Sequence, residues 1–409
     1  MRCLGAQDYD VGVLYNSRLS AAVWSRCAAR SYRAPRENDS AAFLDRLMEI
    51  GAKRPGQILL ASSDETAWLY AENAALLSSR FVVRQPPVET FRRILDKSRL
   101  AEAAAKVGVA TPPTWSAPEG DDLPELARSL PYPILIKPRT HVRRVENSKG
   151  VIVQSDAELR RELDGFVTRE RASGAEEAGR PLLQQLIRAR PGPISISGFL
   201  DSSGDHFVTR RCVKVFQRLN STGVGICFEA LPADEELAEA VRRLCGELGY
   251  FGLFEAEFLP MDGRWALIDF NPRLFNQVAL DVRREMPLPL LACLDALGDR
   301  RGLRAALDRA CAYDQSQSAT IVDRFTLGAT LLVQAARGAH GRAERDKWKS
   351  WIRMHAPHMV DFVADRHDSL PAVVHAVSET RLGVRALPRL LRERPGAAAK
   401  FSATTEKTI

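Results

Sequence analysis

The stretch from residue 252 to residue 273 constrains the fold of this chain more than any other, because it reads as two strands with polar side chains on one face. Side chains alternate sides along a strand, so Glu255 and Glu257 share one face of the first run. Asp269 and Asn271 share a face of the second run in the same way. The stretch therefore predicts a β-hairpin with an acidic, amide-bearing face.

The turn of this hairpin decides whether the acidic groups meet. We expect a three-residue loop, Met261 to Gly263, in which the glycine supplies a positive φ. An odd loop length places Glu257 and Asp269 on the same face of the pair, whereas a two-residue loop would place them on opposite faces. Facing carboxylates repel unless a cation neutralises them, and Mg²⁺ is the simplest candidate. A solvated acidic hairpin, or carboxylates paired with arginines, is the alternative.

Length and composition bound the class of protein. The 409 residues suffice for two or three domains, and 45% hydrophobic with 27% charged residues is typical of a globular protein. No apolar run approaches the roughly 18 residues of a membrane span, and the first residues lack the apolar core of a signal peptide. The 7 cysteines contain no Cys-x-x-Cys pair, which favours reduced thiols over disulfides or zinc ligands. We expect a cytoplasmic protein without a membrane partner.

The positive charge of the chain is a weaker signal. A net charge of +7 suits anionic partners, but the excess arginine is spread along the chain without a nucleic-acid motif. A nucleotide substrate explains local basic residues equally well, so no nucleic-acid partner is expected. Three basic residues, Arg210, Arg211 and Lys214, lie on one predicted strand that could face a reacting centre, but strand-surface charge is the favoured interpretation.

The order of predicted elements suggests an alternating N-terminal region followed by mixed lobes. Strands at 11–14 and 57–60 and helices at 41–50 and 66–77 suggest a βα domain. Asp96 caps a predicted helix that stops at Gly108. Further expected elements are strands at 131–138, 151–154 and 181–187, an antiparallel pair at 194–200 and 207–216, and an amphipathic helix at 235–248. Beyond Gly298 the pattern is mainly helical, and residues 397–409 are expected to be disordered.

With its elements in this order, the chain resembles the ATP-grasp superfamily of carboxylate ligases, and particularly its predicted ATP-dependent carboligase branch. The resemblance covers residues 95–297 well and implies an α/β fold in which a nucleotide lies between two α+β lobes. It divides the chain into a truncated N-terminal βα (pre-ATP-grasp) domain at 1–94, the small lobe and lid at 95–188, the large lobe with the metal site at 189–298, and a mainly helical extension at 299–409. Compared with that superfamily, the first strand and glycine loop of the N-terminal domain are missing.

The resemblance also implies roles for individual residues. Lys97 and Lys137 would contact the nucleotide phosphates, with Lys149 reaching them from the lid. The inter-lobe hinge that contacts adenine would comprise Gln184, Gln185, Leu186 and Ile187. Metal ligands would be Glu257, Asp269 and Asn271, the first two of which lie twelve residues apart. Arg273 would be the catalytic arginine that steadies the transferred phosphoryl group or the acyl phosphate.

Three departures from the superfamily pattern accompany these roles. Asp269 stands where Glu is usual, which shortens the ligand by one methylene, although a carboxylate is still what Mg²⁺ requires. Gln185 also stands in the place of a usual Glu. The loop 139–150 is basic rather than glycine-rich, so Arg143, Arg144 or Lys149 would contribute more than backbone amides.

The implied activity is ligation. The resemblance implies an ATP-dependent enzyme with Mg²⁺ or Mn²⁺ that activates a small-molecule carboxylate as an acyl phosphate and joins it to an amine or another nucleophile, and it allows a homodimer. The alternative is a non-catalytic, regulatory nucleotide-binding protein with the same fold, which the unusual lid, Gln185 and Asp269 motivate. Nucleic-acid binding by the arginine-rich tail is a third hypothesis, supported by charge alone.

Overall fold

The computed structural model describes residues 1–118, 122–140, 142, 150–172, 180–187, 192–217, 225–336 and 342–392. Its α-helices are α1 (Arg2–Gly5), α2 (Ser40–Lys53), α3 (Asp64–Glu72), α4 (Ala74–Leu77), α5 (Val88–Leu95), α6 (Lys97–Lys106), α7 (Leu123–Ser129), α8 (Asp156–Ala172), α9 (Glu235–Leu248), α10 (Val278–Arg283), α11 (Leu288–Leu297), α12 (Arg300–Ala312), α13 (Arg324–Ala336), α14 (Arg342–His355) and α15 (Leu370–Arg392), and a 3-10 helix spans Ala21–Trp24. Its strands are β1 (Val11–Tyr15), β2 (Ala28–Arg33), β3 (Gln57–Ile58), β4 (Phe81–Val82), β5 (Thr114–Ser116), β6 (Ile134–Lys137), β7 (Val151–Val153), β8 (Leu182–Gln185), β9 (Ile194–Leu200), β10 (Phe207–Gln217), β11 (Gly225–Leu231), β12 (Gly252–Met261), β13 (Arg264–Asn271), β14 (Thr320–Val322) and β15 (Met359–Asp361).

The chain divides into two compact units, neither of them continuous in sequence. The first unit comprises Met1–Ala34, Lys214–Ala230 and Gln317–Ile409, and the second comprises Pro35–Val213 and Leu231–Ser316. Helices and strands alternate or mix in both units, which confirms the expected α/β class.

The larger sheet of the second unit carries the predicted hairpin. Its strands follow the order β13-β12-β9-β10, and each pair in this series is antiparallel. Every residue of β9 is buried, and this strand has a neighbour on both edges. In register, Ser197 lies opposite Glu255 and Ser195 lies opposite Glu257. The acidic face of the hairpin therefore continues as a polar row onto β9.

The opposite face of the same sheet is apolar and buried. Phe254, Phe258 and Phe270 are almost fully buried, and the rings of Phe254 and Phe270 stack with centroids 5.5 Å apart. Burying an aromatic side chain of this size contributes about 1.5–3 kcal/mol. Helix α9 begins where the Asp234 side chain accepts a hydrogen bond from the Leu237 amide, and it ends at a left-handed glycine. This packing fixes which face of the hairpin remains for polar chemistry.

A smaller sheet in the second unit carries the other predicted lysine. Its strands follow the order β5-β8-β6-β7, and every pair is antiparallel. Helix α8 covers it through a buried core that includes Ile134, Ile136, Leu163 and Phe166. Since Ile134 and Ile136 point into this core, Lys137 at the end of β6 points to the other side of the sheet.

The first unit contains parallel strands β1 and β2 and a second sheet segment in the order β11-β14-β15. Strand β14 is antiparallel to β11 and parallel to β15. The rings of Phe216 and Trp348 meet edge to face with centroids 4.5 Å apart in its core. Among the described residues, none of the helices combines the length and apolar character that a membrane crossing requires.

Most elements predicted for the middle of the chain are present. The structure contains the strands expected near residues 134, 151 and 182, the antiparallel pair β9–β10, and helices α6 and α9. The region after Gly298 is mainly helical as expected, with two short strands, β14 and β15, among its helices. Strand β2 and helix α8 were not predicted from the sequence. The predicted disorder at 397–409 lies outside the described residues.

Candidate active site

Glu257 and Asp269 share one face of the hairpin as expected, but the hairpin turn differs from the predicted one. Met261 pairs with Arg264, so the loop has two residues, Asp262 and Gly263, both with positive φ. The prediction of a three-residue loop was therefore wrong. The register shifts at a β-bulge, in which Ile268 is the extra residue between the pairs Phe258–Leu267 and Glu257–Asp269. The bulge supplies the odd residue that the loop lacks, and Glu257 and Asp269 consequently lie directly opposite each other.

Lys97 neutralises one member of this acidic pair. Asp96 caps helix α6 by accepting hydrogen bonds from the amides of Ser98 and Arg99, which fixes Lys97 as the first residue of the helix. The Lys97 Nζ atom lies 2.8 Å from Asp269 Oδ1, and the lysine side chain is only 10% exposed. The ammonium group thus lies beside the two facing carboxylates.

Lys137 reaches the same place from the smaller sheet. Its Nζ donates to Gln184 Oε1 at 2.9 Å, and the Gln184 amide donates in turn to the Thr114 hydroxyl. Burial, together with the positive charge of Lys97, lowers the pKa of Lys137 to about 7, while Asp269 and Glu257 oppose that shift. A new anionic neighbour would therefore raise the pKa of Lys137 and favour its protonated, cationic form.

Lys97 and Lys137 both line a recess of about 290 Å³, a volume that includes its part open to solvent. The residues that line it include Lys97, Lys137, Thr114, Gln184, Leu267 and Ile268. Two lysines at its wall and an acidic pair next to the extra residue of the bulge make it suited to an anionic ligand bound together with a cation.

Asn271 and Arg273 extend the polar row beyond the acidic pair. Asn271 lies opposite Glu255 and donates from Nδ2 to Glu255 Oε2 at 3.0 Å. Glu255 is only 3% exposed and also accepts hydrogen bonds from Ser195 and Gln277. The Arg273 guanidinium donates to Asn271 Oδ1 at 2.7 Å and forms an ion pair with Asp64 at 2.7 Å.

The charge of Arg273 is secured by its neighbours. Burial alone would lower the pKa of this guanidinium, but Asp64, through its charge and its hydrogen bond, raises it overall. Glu255 and Asp269 act in the same direction. Within the described residues three of its five N–H groups donate to Asp64, Leu274 O and Asn271. The remaining two are suited to an anionic ligand.

The donor set fits a hard divalent cation. Glu257 and Asp269 face each other, and Asn271 Oδ1 keeps a second lone pair beyond the one used by Arg273. Considering only the described residues, no group of three His, Cys, Asp or Glu side chains is close enough to hold a metal ion. Mg²⁺ or Mn²⁺ bound by two carboxylates, with phosphate oxygens and water completing the shell, suits this set, whereas a zinc site built by protein alone does not.

Comparison with known proteins identifies the fold. No protein-family model matches the chain. The biotin carboxylase domain of Hydrogenobacter thermophilus 2-oxoglutarate carboxylase superposes with a TM-score of 0.60 at 18% identity, covering 73% of this chain and 66% of that one. The L-amino acid ligase of Bacillus licheniformis superposes with a TM-score of 0.55 at 16% identity, covering 74% and 72% of the two chains. Both are ATP-grasp proteins. The chain has the ATP-grasp fold.

A sequence relationship points the same way. Biotin carboxylase of Pseudomonas aeruginosa is 27% identical over 221 residues, which cover 50% of this chain and 46% of the relative. The chain thus spans about half the length of this curated relative.

On this ATP-grasp fold, the predicted hinge is more engaged than expected. The Gln185 amide donates to Pro113 O at 2.9 Å and the Leu186 amide to Pro133 O at 3.2 Å. Two of the backbone donors expected to serve a nucleotide base are therefore already used, and Ile187 follows them in the chain. The side chain of Gln184 holds Lys137, a role the sequence analysis did not assign. The predicted lid residue Lys149, with Arg143 and Arg144, lies outside the described residues.

A buried polar layer that the sequence did not predict lies on the sheet that carries the acidic hairpin. Arg210 is 1% exposed, and Lys214 is buried as well, so their interpretation as surface charge was wrong. Arg210 donates to the carbonyls of Thr209, Arg284 and Ala310, and burial followed by the charge of Arg284 lowers its pKa to about 10. Such a role has no local sequence signal, because the partners lie up to 100 positions away.

Helix α10 covers this layer with residues spaced by one or two helical turns. Gln277, before the helix, donates to Glu255 on β12. Burial raises the pKa of Asp281 to about 7, an effect that the hydroxyl of Ser197 and the two buried arginines only partly offset. Arg284, fully buried, donates to the carbonyls of Arg211 and Leu231. The positions of these groups relative to the acidic hairpin are therefore set by one short helix.

Proposed function

We propose that this chain is an ATP-dependent ligase that activates a small carboxylate as an acyl phosphate and joins it to an amine or a related nucleophile. The observation that supports the proposal most is that Lys97 and Lys137 line one recess, while Lys97 also pairs with Asp269, which faces Glu257. Cations for phosphates and carboxylates for a bridging metal ion are the parts that phosphoryl transfer requires.

The nucleotide would bind with its phosphates in the recess. Lys137 would contact the phosphates in its protonated form, which their negative charge stabilises. Lys97 would leave Asp269 and bind a phosphate oxygen instead. Lys149 remains the proposed contact from the lid. The segment Gln184–Ile187 is the proposed neighbour of the base, with Gln184 acting through Lys137.

Bound metal would neutralise phosphate charge and align the reacting oxygens. Glu257, Asp269 and Asn271 are the proposed ligands, and either Mg²⁺ or Mn²⁺ suits their oxygen atoms. The protein's own part is to hold these three groups on one face of the hairpin, which the bulge at Ile268 achieves.

The chemistry then needs no nucleophilic side chain. An oxygen of the substrate carboxylate attacks the γ-phosphorus, the bond from that phosphorus to the β,γ-bridging oxygen breaks, and ADP leaves. Arg273 would donate to the transferred phosphoryl group as charge develops on it. The amine next attacks the acyl carbon, the carbon–oxygen bond to phosphate breaks, and phosphate leaves while the amine loses a proton to solvent.

Properties of the structural relatives agree with this assignment. The Hydrogenobacter domain was crystallised with MgADP, ADP and bicarbonate, and the Bacillus protein is an L-amino acid ligase. Bicarbonate and amino acids both offer a carboxylate or carbonate oxygen to a phosphoryl group. Small carboxylates and amines are therefore the proposed substrate classes.

A substrate screen tests the proposal. Purified protein with MgATP is incubated with amino acids, hydroxy acids, bicarbonate and amines, singly and in pairs, while ADP release is followed and products are weighed by mass spectrometry. A ligase releases ADP and phosphate only with its carboxylate, and a condensed product appears only with the pair. ATP binding without turnover across the panel would support the regulatory alternative, and no ATP binding would contradict both.

The lowered pKa of Lys137 gives a separate expectation for nucleotide binding. At pH 8 the group, with a pKa of about 7, is mostly neutral, and triphosphate nearby raises that pKa again. Binding of MgATP at pH 8 is therefore expected to take up close to one proton, and affinity should fall as pH rises above 7. Titration calorimetry in two buffers of different ionisation enthalpy measures this uptake.

Two lysine variants test whether Lys137 is the group that takes up this proton. Lys137→Met should abolish the uptake, whereas Lys106→Met, at an exposed position of α6 paired with Glu247, should keep it. An equal uptake in the Lys137 variant and the wild-type protein would contradict the assignment.

Several broader features stay predictions within this proposal. They are the domain limits at residues 94, 188 and 298, a homodimer, and a cytoplasmic location, which reduced thiols at all seven cysteines would suit.

A further inference from the structure

We infer that Asp64 is a positioning residue that holds the Arg273 guanidinium away from the acidic pair and aims it at the terminal phosphoryl group of the nucleotide. The inference deepens the proposed function and rests on it. Asp64 would act through Arg273 and would not touch the reacting atoms itself.

The contact between these residues is close and shielded. Arg273 Nε lies 2.7 Å from Asp64 Oδ1, and about four-fifths of each side chain is removed from solvent. A second bond ties the same segments together, since the Leu274 amide donates to Ala61 O at 3.1 Å. The segment Ala61–Asp64 is thus fastened to the end of the acidic hairpin by backbone and side chain together.

Local structure fixes the direction of the Asp64 side chain. Asp64 is the first residue of α3, and the preceding Ser63 forms a capping box with Thr66. The Ser63 hydroxyl also donates to Glu37 Oε2 at 2.8 Å. Because both ends of this turn are anchored, Asp64 offers its carboxylate to Arg273 from a set position.

The charges around Arg273 explain why a holding group is needed. Asp64, Glu255 and Asp269 all act on the guanidinium, and Asp64 acts most strongly. Without Asp64, the remaining attraction is towards the hairpin, where Asp269 is a proposed metal ligand. A guanidinium drawn onto Asp269 would compete with the metal ion and would no longer face the phosphoryl group.

The hydrogen bonds assign separate edges of the guanidinium to separate tasks. Asp64 takes the Nε edge, Asn271 takes one N–H of Nη2, and Leu274 O takes one N–H of Nη1. Within the described part of the chain, one N–H on each terminal nitrogen is not used by these bonds, and both are proposed to donate to the phosphoryl group. Loss of the Nε anchor would let the guanidinium rotate.

Binding measurements test the inference without requiring turnover. The affinities of the wild-type protein and of Asp64→Asn for MgATP and MgADP are measured by calorimetry. The ratio of the two dissociation constants reports on the terminal phosphoryl group alone. Asp64→Asn is expected to lower the preference for ATP about tenfold, while MgADP affinity changes less than about twofold. Asp64→Glu should restore part of the preference.

Control variants separate positioning from a structural role. Asp39→Asn removes a comparable charge at the start of α2, where the side chain accepts from the Ala42 amide, and should leave the ratio unchanged. In an Arg273→Met background, Asp64→Asn should have no further effect on the ratio, because its influence passes through Arg273.

The possible outcomes are distinct. An unchanged ratio in Asp64→Asn, an equal loss of affinity for both nucleotides, or additive effects in the double variant would overturn the positioning role while leaving the ligase proposal intact. Failure of the wild-type protein to bind either nucleotide would instead overturn the proposed function, and this inference with it.

Discussion

Glu257→Gln is expected to lower the turnover number of the proposed ligase reaction about 10³-fold. Losing one group that stabilises charge in the transition state typically has an effect of this size. The substitution keeps the size of the side chain and its place opposite Asp269. It removes one of two facing negative charges, and the charge of the other is already matched by Lys97. Too little negative charge would then remain to hold a divalent cation against the phosphates.

Turnover is measured from ADP release at saturating substrates over a range of Mg²⁺ concentrations. The matched control is Glu239→Gln, on the exposed surface of α9, where the carboxylate pairs with Arg242, and this variant should behave as the wild-type protein. We also expect the Glu257 variant to need more Mg²⁺ for half-maximal activity. A turnover number within tenfold of the wild-type value would contradict the proposal that Glu257 is a metal ligand.

Arg284→Met is expected to lower the free energy of unfolding by about 3–5 kcal/mol, the cost of breaking a buried charge network on one side. Arg284 is fully buried and donates to the carbonyls of Arg211 and Leu231. Its removal takes a charged hydrogen-bond donor away from both carbonyls. It also takes away one of the two positive charges that stabilise the Asp281 carboxylate, the other being that of Arg210. The methionine fills most of the volume, so the loss reports on polar contacts.

The neighbouring arginine provides the comparison. Arg283 is exposed, and Arg283→Met should change the free energy of unfolding by less than about 0.5 kcal/mol. Urea unfolding followed by circular dichroism and by tryptophan fluorescence measures both variants. Equal midpoints for the two variants would show that the buried network does not stabilise the fold.

The features that the sequence predicted are local in the chain. Alternation along the strands was enough to place Glu255 with Glu257, and Asp269 with Asn271, on shared faces. An aspartate before a run of helix formers was enough to start α6 at Lys97. The hairpin turn shows the limit, because the same-face arrangement was expected for the wrong reason. A bulge has no reliable signal in one sequence, and only the paired register revealed Ile268 as the extra residue.

The features that the sequence missed join distant positions. Asp64 and Arg273 are separated by 209 positions, and the sequence around each residue does not indicate its partner. Arg210 and Lys214 share a strand face with apolar residues, but charged side chains are rarely buried without a partner, so an exposed position was expected. Helix α10 is six residues long. The residues that flank it make hydrogen bonds to strands distant in the sequence, and a single sequence does not reveal such contacts.

The ion pair between Lys97 and Asp269 bears on the order in which a metal ion and a nucleotide would bind. Before a nucleotide arrives, an ammonium group of the protein itself rests against the acid that would otherwise attract divalent ions from the medium. A free ion must therefore displace it without compensation, whereas an ion that arrives with a polyphosphate brings Lys97 a replacement anion. In the proposed site, this ion pair would disfavour the binding of a free magnesium ion, and the metal and the nucleotide would bind together as one complex.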